Sequence, residues 1–334
     1  MKNKNKKVKK HPILKSLCVV LAVVVVLVSS LLLLVTHKWS DEYIAYETDN
    51  QNITELGRTL VSAHRSGGGI FPENTMMAFE GCINSDTFKT DIFEFDLHIT
   101  ADEELIILHD DTLDRTTDAV EHFGKEDIRP EEYTYEELRT LNFGESFEGD
   151  DGSHPYQGLR GDKVPDSLRV SNLKDVLTYL QSEGDFGYII EIKNGGELGE
   201  KAADILYSTL KEMNLLDHAV VGTFQNNVTK HLDENYPDMP RSASIIEVVK
   251  VYFNSLLGID KKEGTYKFNA LQIPSGLAIL DLATARLVNY AHRHNIAVQY
   301  WTINDTAMMQ QLKDIGADCI MTDIPDVAYD LLYT

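Results

Sequence analysis

Three cysteines in 334 residues leave this chain without the thiols for a disulfide framework or a zinc–sulfur cluster. Cys18 falls in an apolar run and stands in no lipobox. Cys82 and Cys319 read as small buried residues, since nothing in their spacing demands a bridge. Positive charge is also scarce, with 31 lysines and arginines against 53 aspartates and glutamates. Eight of those bases lie in residues 1–38, which hold no acid, so residues 39–334 carry 23 bases and a net charge of −30. Such a domain is a poor partner for nucleic acid, and for an anionic bilayer beyond any anchor. No internal repeat is evident, and only one long hydrophobic run.

That run is Ser16–Thr36, 21 uncharged residues dominated by valine and leucine, preceded by six lysines in the first ten positions. As a helix it would be roughly 31 Å long, enough to cross a bilayer core. A cleaved signal peptide is the competing reading, but its apolar region spans only about 7–15 residues and ends in a small-x-small site. The expected layout is a basic cytoplasmic tail at 1–15, a transmembrane helix at 16–36 and a polar juxtamembrane spacer at 37–58. Residues 59–334 would form the main domain. With the lysines held inside, the protein would be a single-pass membrane protein with its domain outside the cell.

From residue 59 onward, strand-like runs alternate with helical patterns. Strands are expected at Val61–Arg65, Ile92–Ile99, Tyr188–Ile192, Ala219–Phe224, Ala243–Ile246, Ala270–Ile273, Ala297–Ile303 and Cys319–Thr322. A helix follows each, and eight such units read as an α/β TIM (β/α)8 barrel. Leu105–Leu108 comes too soon after the second strand for a parallel crossover and should be an antiparallel arm. Residues 112–166, acidic and rich in Gly, Tyr and Glu, break the rhythm and read as an insertion.

In the second strand, alternation puts Glu94, Asp96 and His98 on one face and Phe93, Phe95 and Leu97 on the other. A polar turn at Ala101-Asp102 then predicts a hairpin in which positions summing to 205 pair, setting His109 opposite Asp96. Two carboxylates on one buried face repel, a cost normally offset by a bound cation. Other strand ends are polar too. The first reaches His64-Arg65 and Ser66-Gly67-Gly68-Gly69, the third Glu191-x-Lys193, and the seventh Trp301 with Asn304 beyond. In a barrel all these ends share one mouth.

These strings, HR…PENT…AFE, E-F-D, HD-x-x-L-x-RTT, E-I-K, W-T-I-N and TDIP, resemble the glycerophosphodiester phosphodiesterases in order and spacing over residues 61–327. The resemblance implies hydrolysis of glycerophosphodiesters to glycerol 3-phosphate and an alcohol, often through a cyclic phosphate formed by the substrate's neighbouring hydroxyl. It makes His64 and His109 the acid/base pair, and Glu94, Asp96 and Glu191 the ligands of one divalent cation. An all-oxygen set suits Ca²⁺ or Mg²⁺. Arg65 and Lys193 would hold phosphate oxygens, with Trp301 and Phe224 walling the glycerol. An alternative inside the same fold is a phospholipase D- or C-like enzyme acting on lysolipids or glycerophosphate wall polymers.

Some polar residues take structural readings. His98 is expected to be a buried core histidine, Asn74 the cap of a helix at Thr75–Asn84, and Asp323 a brace for the last loop. Glu73 stays open between metal site, substrate hydroxyl and loop bracing. His292 and His294 do not share a helix face and are not counted as ligands. One departure from the family pattern stands out: Ser66 occupies a place usually held by glycine, which strains the loop if that position needs a positive φ.

Overall fold

The structure, a computed structural model, describes residues 12–37, 41–55, 58–262 and 264–333, the side chains of 12–15, 18 and 19 excepted. The lysine-rich segment 1–11 lies outside the described residues. Pro12–Thr36 is one 25-residue helix, α1, and its described side chains from Leu17 to Leu33 are largely exposed. Among the described residues no helix is long and apolar enough to cross a membrane.

Seven parallel strands form the barrel wall: β1 (Leu60–Ala63), β2 (Ile92–Ile99), β4 (Gly187–Ile192), β5 (Ala219–Gly222), β6 (Ala270–Ile273), β9 (Ala297–Tyr300) and β10 (Cys319–Thr322). Their order is β5-β4-β2-β1-β10-β9-β6. An eighth stave closes the ring through parallel bridges Val221–Arg241 and Ser242–Ala270. The expected fifth strand at Ala243–Ile246 is therefore misplaced. Ser244 and Glu247 form a capping box that starts helix α8 at Ile245–Leu257, so the β-branched run there is helical. Arg241, almost fully buried, is fixed in the stave by Asp233 and Glu247.

β2 buries both faces, as a barrel strand must. Phe93, Phe95 and Leu97 pack outward with Phe79 of helix α2 (Met76–Ile83), the Phe79 and Phe93 rings 5.4 Å apart. Inside the barrel, Ile92, Ile189, Cys319 and Met321 fill the layer beneath the mouth. Cys82 and Cys319 are buried and unpaired.

The arm β3 (Leu105–Ile107) pairs antiparallel with β2, but its register sums to 204, as in Leu97–Ile107. The turn takes three residues, 101–103, with Glu103 left-handed at φ 68°. Asp96 consequently lies against Leu108, whose N–H donates to its carbonyl at 3.0 Å. His109 sits beyond the paired strand, not opposite Asp96.

The insertion after His109 has a core of its own, in which Leu113, Ile128, Leu138 and Phe143 pack on Ile106 and Leu108 of the arm. The two-residue strands β7 (Gly276–Leu277) and β8 (Leu280–Asp281) make a hairpin after β6, at the mouth end.

The segment expected as a polar juxtamembrane spacer packs along the domain as a strap. Val35 at the end of α1 is buried in the same core cluster that Leu34 and hairpin residue Leu280 flank. The strap then follows helix α9 (Ala285–Arg293) from start to end: Asp41 pairs with Arg286, the Ile44 N–H donates to Asn289, and the Asn50 amide donates to the Asn295 carbonyl. It reaches the barrel floor where the Thr54 N–H donates to Asp318 at 2.8 Å. His292, 2.8 Å from Asp318, is thus structural.

Candidate active site

Residues that leave a barrel strand at its C-terminal end converge on the mouth, and a cavity of about 310 Å³ opens there. His64, Arg65, Glu94, Asp96, His109, Glu191, Lys193, Phe224 and Trp301 all line it. The structure thus brings all nine sequence-derived candidates together. Trp301 follows β9, and its ring meets Phe224 edge to face at 6.1 Å. Ile192 and Ile190 face the outer core, which turns Glu191 inward with Asp96 as its register partner.

Each histidine is held by its Nδ1. His64 Nδ1 lies 2.6 Å from Asp323 Oδ1, and His109 Nδ1 lies 2.7 Å from Asp110 Oδ1. Burial opposes ionisation of both carboxylates, but hydrogen bonds to them prevail and hold their pKa values below the ordinary range. They are therefore acceptors, the Nδ1 atoms carry the protons, and each imidazole keeps Nε2 for other work. His64 Nε2 is 3.9 Å from Glu94 Oε2. Burial lowers the pKa of His64, yet Glu94 and Asp323 outweigh it and the net shift is upward. His109 shifts downward, chiefly by burial.

The carboxylates are crowded. Burial first, then the charge of Asp96, pushes Glu94 up to about 8, while its Oε2 accepts the Arg65 N–H at 2.7 Å. Burial would raise Asp96 as well, but Lys193 prevails and its pKa falls. Lys193 Nζ sits 3.0 Å from Asp96 and 2.9 Å from Glu191, so one ammonium serves two carboxylates. Among the described residues no three His, Cys, Asp or Glu side chains already converge as a metal shell. Even so, the buried Glu94 and Asp96 and the half-buried Glu191 crowd one spot where Lys193 pairs only with the last two, and an all-oxygen donor set fits a hard divalent cation.

Several side chains have roles that sequence reasoning did not assign. Asn74 is left-handed (φ 57°) and donates from Nδ2 to Asp96 at 3.1 Å; the cap of α2 is Thr75, which accepts from the Ala78 N–H. The neighbouring Asn-Thr pair offers two possible caps, and the demand of Asp96 for a donor decides between them. Asp323 does more than brace a loop, since it orients His64. Glu73 takes the bracing role: it pairs with Arg65 at 3.2 Å and with Arg115 at 2.7 Å. Arg115 also reaches Asp110 at 2.6 Å. The RTT string was visible, but nothing in it disclosed that clamp. His98 is buried, and burial pushes its pKa down to about 4, as a neutral core histidine.

A closed α/β barrel with two oriented imidazoles, clustered carboxylates and two cations at its C-terminal mouth is the frame of a hydrolase. Residues 64–327 match the glycerophosphoryl diester phosphodiesterase family, and the chain belongs to it, as a phosphoric diester hydrolase. It is 26% identical over 280 residues to a glycerophosphodiester phosphodiesterase of Caldanaerobacter subterraneus subsp. tengcongensis, over 82% of this chain and 98% of that one. It is 24% identical over 294 residues to a lysophospholipase D of Homo sapiens, over 81% and 85% of the two chains. In fold it resembles an Oleispira antarctica phosphodiesterase solved with its product sn-glycerol-3-phosphate. That likeness has a TM-score of 0.59 at 20% identity and covers 82% of this chain and 97% of the other.

Proposed function

We propose that this enzyme hydrolyses glycerophosphodiesters to glycerol 3-phosphate and an alcohol. The observation that carries the reading is the meeting of His64 and His109, both held by Nδ1 and both lining the cavity, with the cations Arg65 and Lys193. One imidazole takes the proton of the attacking hydroxyl through Nε2, and the other protonates the departing alkoxide. Arg65 and Lys193 hold the phosphate oxygens, and Trp301 with Phe224 walls the glycerol. Glu94, Asp96 and Glu191 would hold a Ca²⁺ or Mg²⁺ ion, which when bound supplies charge stabilisation at the phosphoryl group. Wall polymers of glycerophosphate are disfavoured by the net charge of −30 on residues 39–334.

Assay of alcohol release from glycerophosphocholine tests the reading. His64→Ala and His109→Ala should each lose at least about 10²-fold in kcat with the circular dichroism unchanged. Chelation should abolish turnover, and added Ca²⁺ or Mg²⁺ should raise the melting temperature of the chelated protein. Near-native turnover in either variant, or no thermal response to either ion, would sink the corresponding assignment.

We further infer, from the sequence, that the run Ser16–Thr36 anchors the enzyme in the cell membrane with the barrel outside, although no helix among the described residues is long and apolar enough to cross a membrane. The uncharged run Ser16–Thr36, its exposed valines and leucines and the lysines before it support that placement. Recovery of the full chain in the soluble fraction would overturn it.

A further inference from the structure

The stretch that runs from helix α8 to β6 is basic within an acidic domain. Residues 248–268 hold four lysines against two acids, a net charge of +2, where residues 39–334 as a whole stand at −30. Three of these lysines, Lys250, Lys261 and Lys267, line one cavity of about 560 Å³, larger than the catalytic one. It lies against α8 and shares only Val249 with the lining of the catalytic cleft. Along the helix, Lys250, Phe253 and Asn254 stand at spacings of three and four, and so present one face to it.

The lysines lack a counter-charge. Glu247 is the one carboxylate on the lining among the described residues, and its two oxygens accept from Arg241 at 2.9 and 3.0 Å. Asp260, next to Lys261 in the chain, is turned to Arg293 and His294 instead. Among the described residues Lys250, Lys261 and Lys267 have neither an ion pair nor a side-chain hydrogen bond. Ammonium groups gathered at one cavity repel each other, and an anion seated among them offsets that cost.

Aromatic rings supply the walls. Phe268 is buried, its ring 5.3 Å from that of Tyr266, with the Arg241 guanidinium 5.7 Å from its centroid. Tyr266 is pinned in place. Its hydroxyl accepts from Asn254 Nδ2 at 3.2 Å and lies 2.9 Å from the Tyr290 hydroxyl, which donates to the Ile259 carbonyl. Phe253 joins them from α8. Fixed rings around a concave site give a flat ligand a stacking surface at little entropic cost. A bare phosphate is too small to meet them, and a neutral ring leaves the lysines unpaired. An anion that carries a ring satisfies both.

We propose that this second cavity binds a small organic phosphate with a flat ring, the class to which nucleoside phosphates belong. The lysines meet the phosphate oxygens as point charges, while Phe253 and Tyr266 meet the ring. None of the residues invoked belongs to the catalytic set, no bond is made or broken there, and the phosphodiesterase reading is not required for it.

Calorimetric titration of the full chain, with Mg²⁺ in excess over the probes, tests the site. Adenosine diphosphate should bind one to one, with adenosine and pyrophosphate each at least about tenfold weaker. Lys250→Glu and Lys261→Glu, both at exposed positions, should each weaken adenosine diphosphate by about tenfold or more, with turnover of glycerophosphocholine and melting temperature unchanged. Phe253→Ala should weaken it by a similar factor and leave pyrophosphate unaffected. No saturable binding of adenosine diphosphate, or an affinity unchanged in either lysine variant, overturns the site. Pyrophosphate binding as tightly as adenosine diphosphate, or displacement of the nucleotide by glycerol 3-phosphate, overturns it too, in favour of a bare anion patch or of the catalytic mouth.

Discussion

His64 and Asp323 stand 259 positions apart in the chain, yet Nδ1 of the one is 2.6 Å from Oδ1 of the other. The barrel makes this pair: β1 and β10 are neighbours, so the residue after each strand arrives at the same point of the rim. Asn304, after β9, donates to the other oxygen of Asp323 and completes the brace. Asp323→Ala should therefore lower kcat/KM by about 10²-fold without removing a group that lines the main cavity. Its pH profile carries the sharper prediction. Glu94 and Asp323 both raise the pKa of His64 against the effect of burial. Losing Asp323 removes an upward contribution, so the limb governed by His64 moves to lower pH. A uniform loss with no movement of that limb would reduce Asp323 to a packing residue.

On the other side of the mouth Arg115 plays the corresponding part for His109. Its guanidinium spans Glu73 and Asp110, and Asp110 holds His109. Arg115 is 47% exposed, so its ion pairs are screened and worth at most about 1 kcal/mol to the fold. Arg115→Ala should cost about tenfold in kcat/KM, as a hydrogen-bonded charge pair is lost, while the melting temperature drops by no more than about 4 °C. Arg115→Lys should recover little, because an ammonium lacks the planar fork that meets two carboxylates at once. Full activity in Arg115→Lys would show that charge alone matters there.

Much of this arrangement is legible in the sequence. β2 was readable because alternation leaves one face aromatic and the other charged, and only a barrel strand with a polar mouth accommodates both. The short spacing between Ile99 and Leu105 required an antiparallel arm. What was misread turned on single residues. Glu103 in the left-handed region lengthens the turn and shifts the register, so the meeting of His109 with the carboxylates depends on the chain beyond the strand rather than on cross-strand pairing. Ala243–Ile246 looked like a strand because isoleucine favours strands, but Ile245 and Ile246 are more than half exposed at the start of α8, and the Ser244–Glu247 box decides it. The strap at 41–54 looked like a spacer because it is polar. Its polar groups are satisfied by α9 and the barrel floor, contacts with no local signal.

Ser66 is where the family pattern and the physics of the loop pull apart. Three consecutive residues are left-handed, Arg65 at φ 48°, Ser66 at 63° and Gly67 at 94°, so the glycine run does not relieve serine of the strained position. The Ser66 hydroxyl is also fully buried with no hydrogen-bond partner. A left-handed non-glycine residue costs roughly 1–2 kcal/mol, and an unsatisfied buried hydroxyl adds to that. Glycine would remove both but would make the unfolded chain more flexible, giving back about 0.4–1 kcal/mol. Ser66→Gly should stabilise the protein by about 1 kcal/mol, a rise of roughly 2–4 °C in melting temperature. The side chain does not line the cavity, so turnover of glycerophosphocholine should hold while the loop relaxes. A variant less stable than the parent would mean that the serine is held there by packing against its surroundings, and that the loop bearing His64 and Arg65 depends on it.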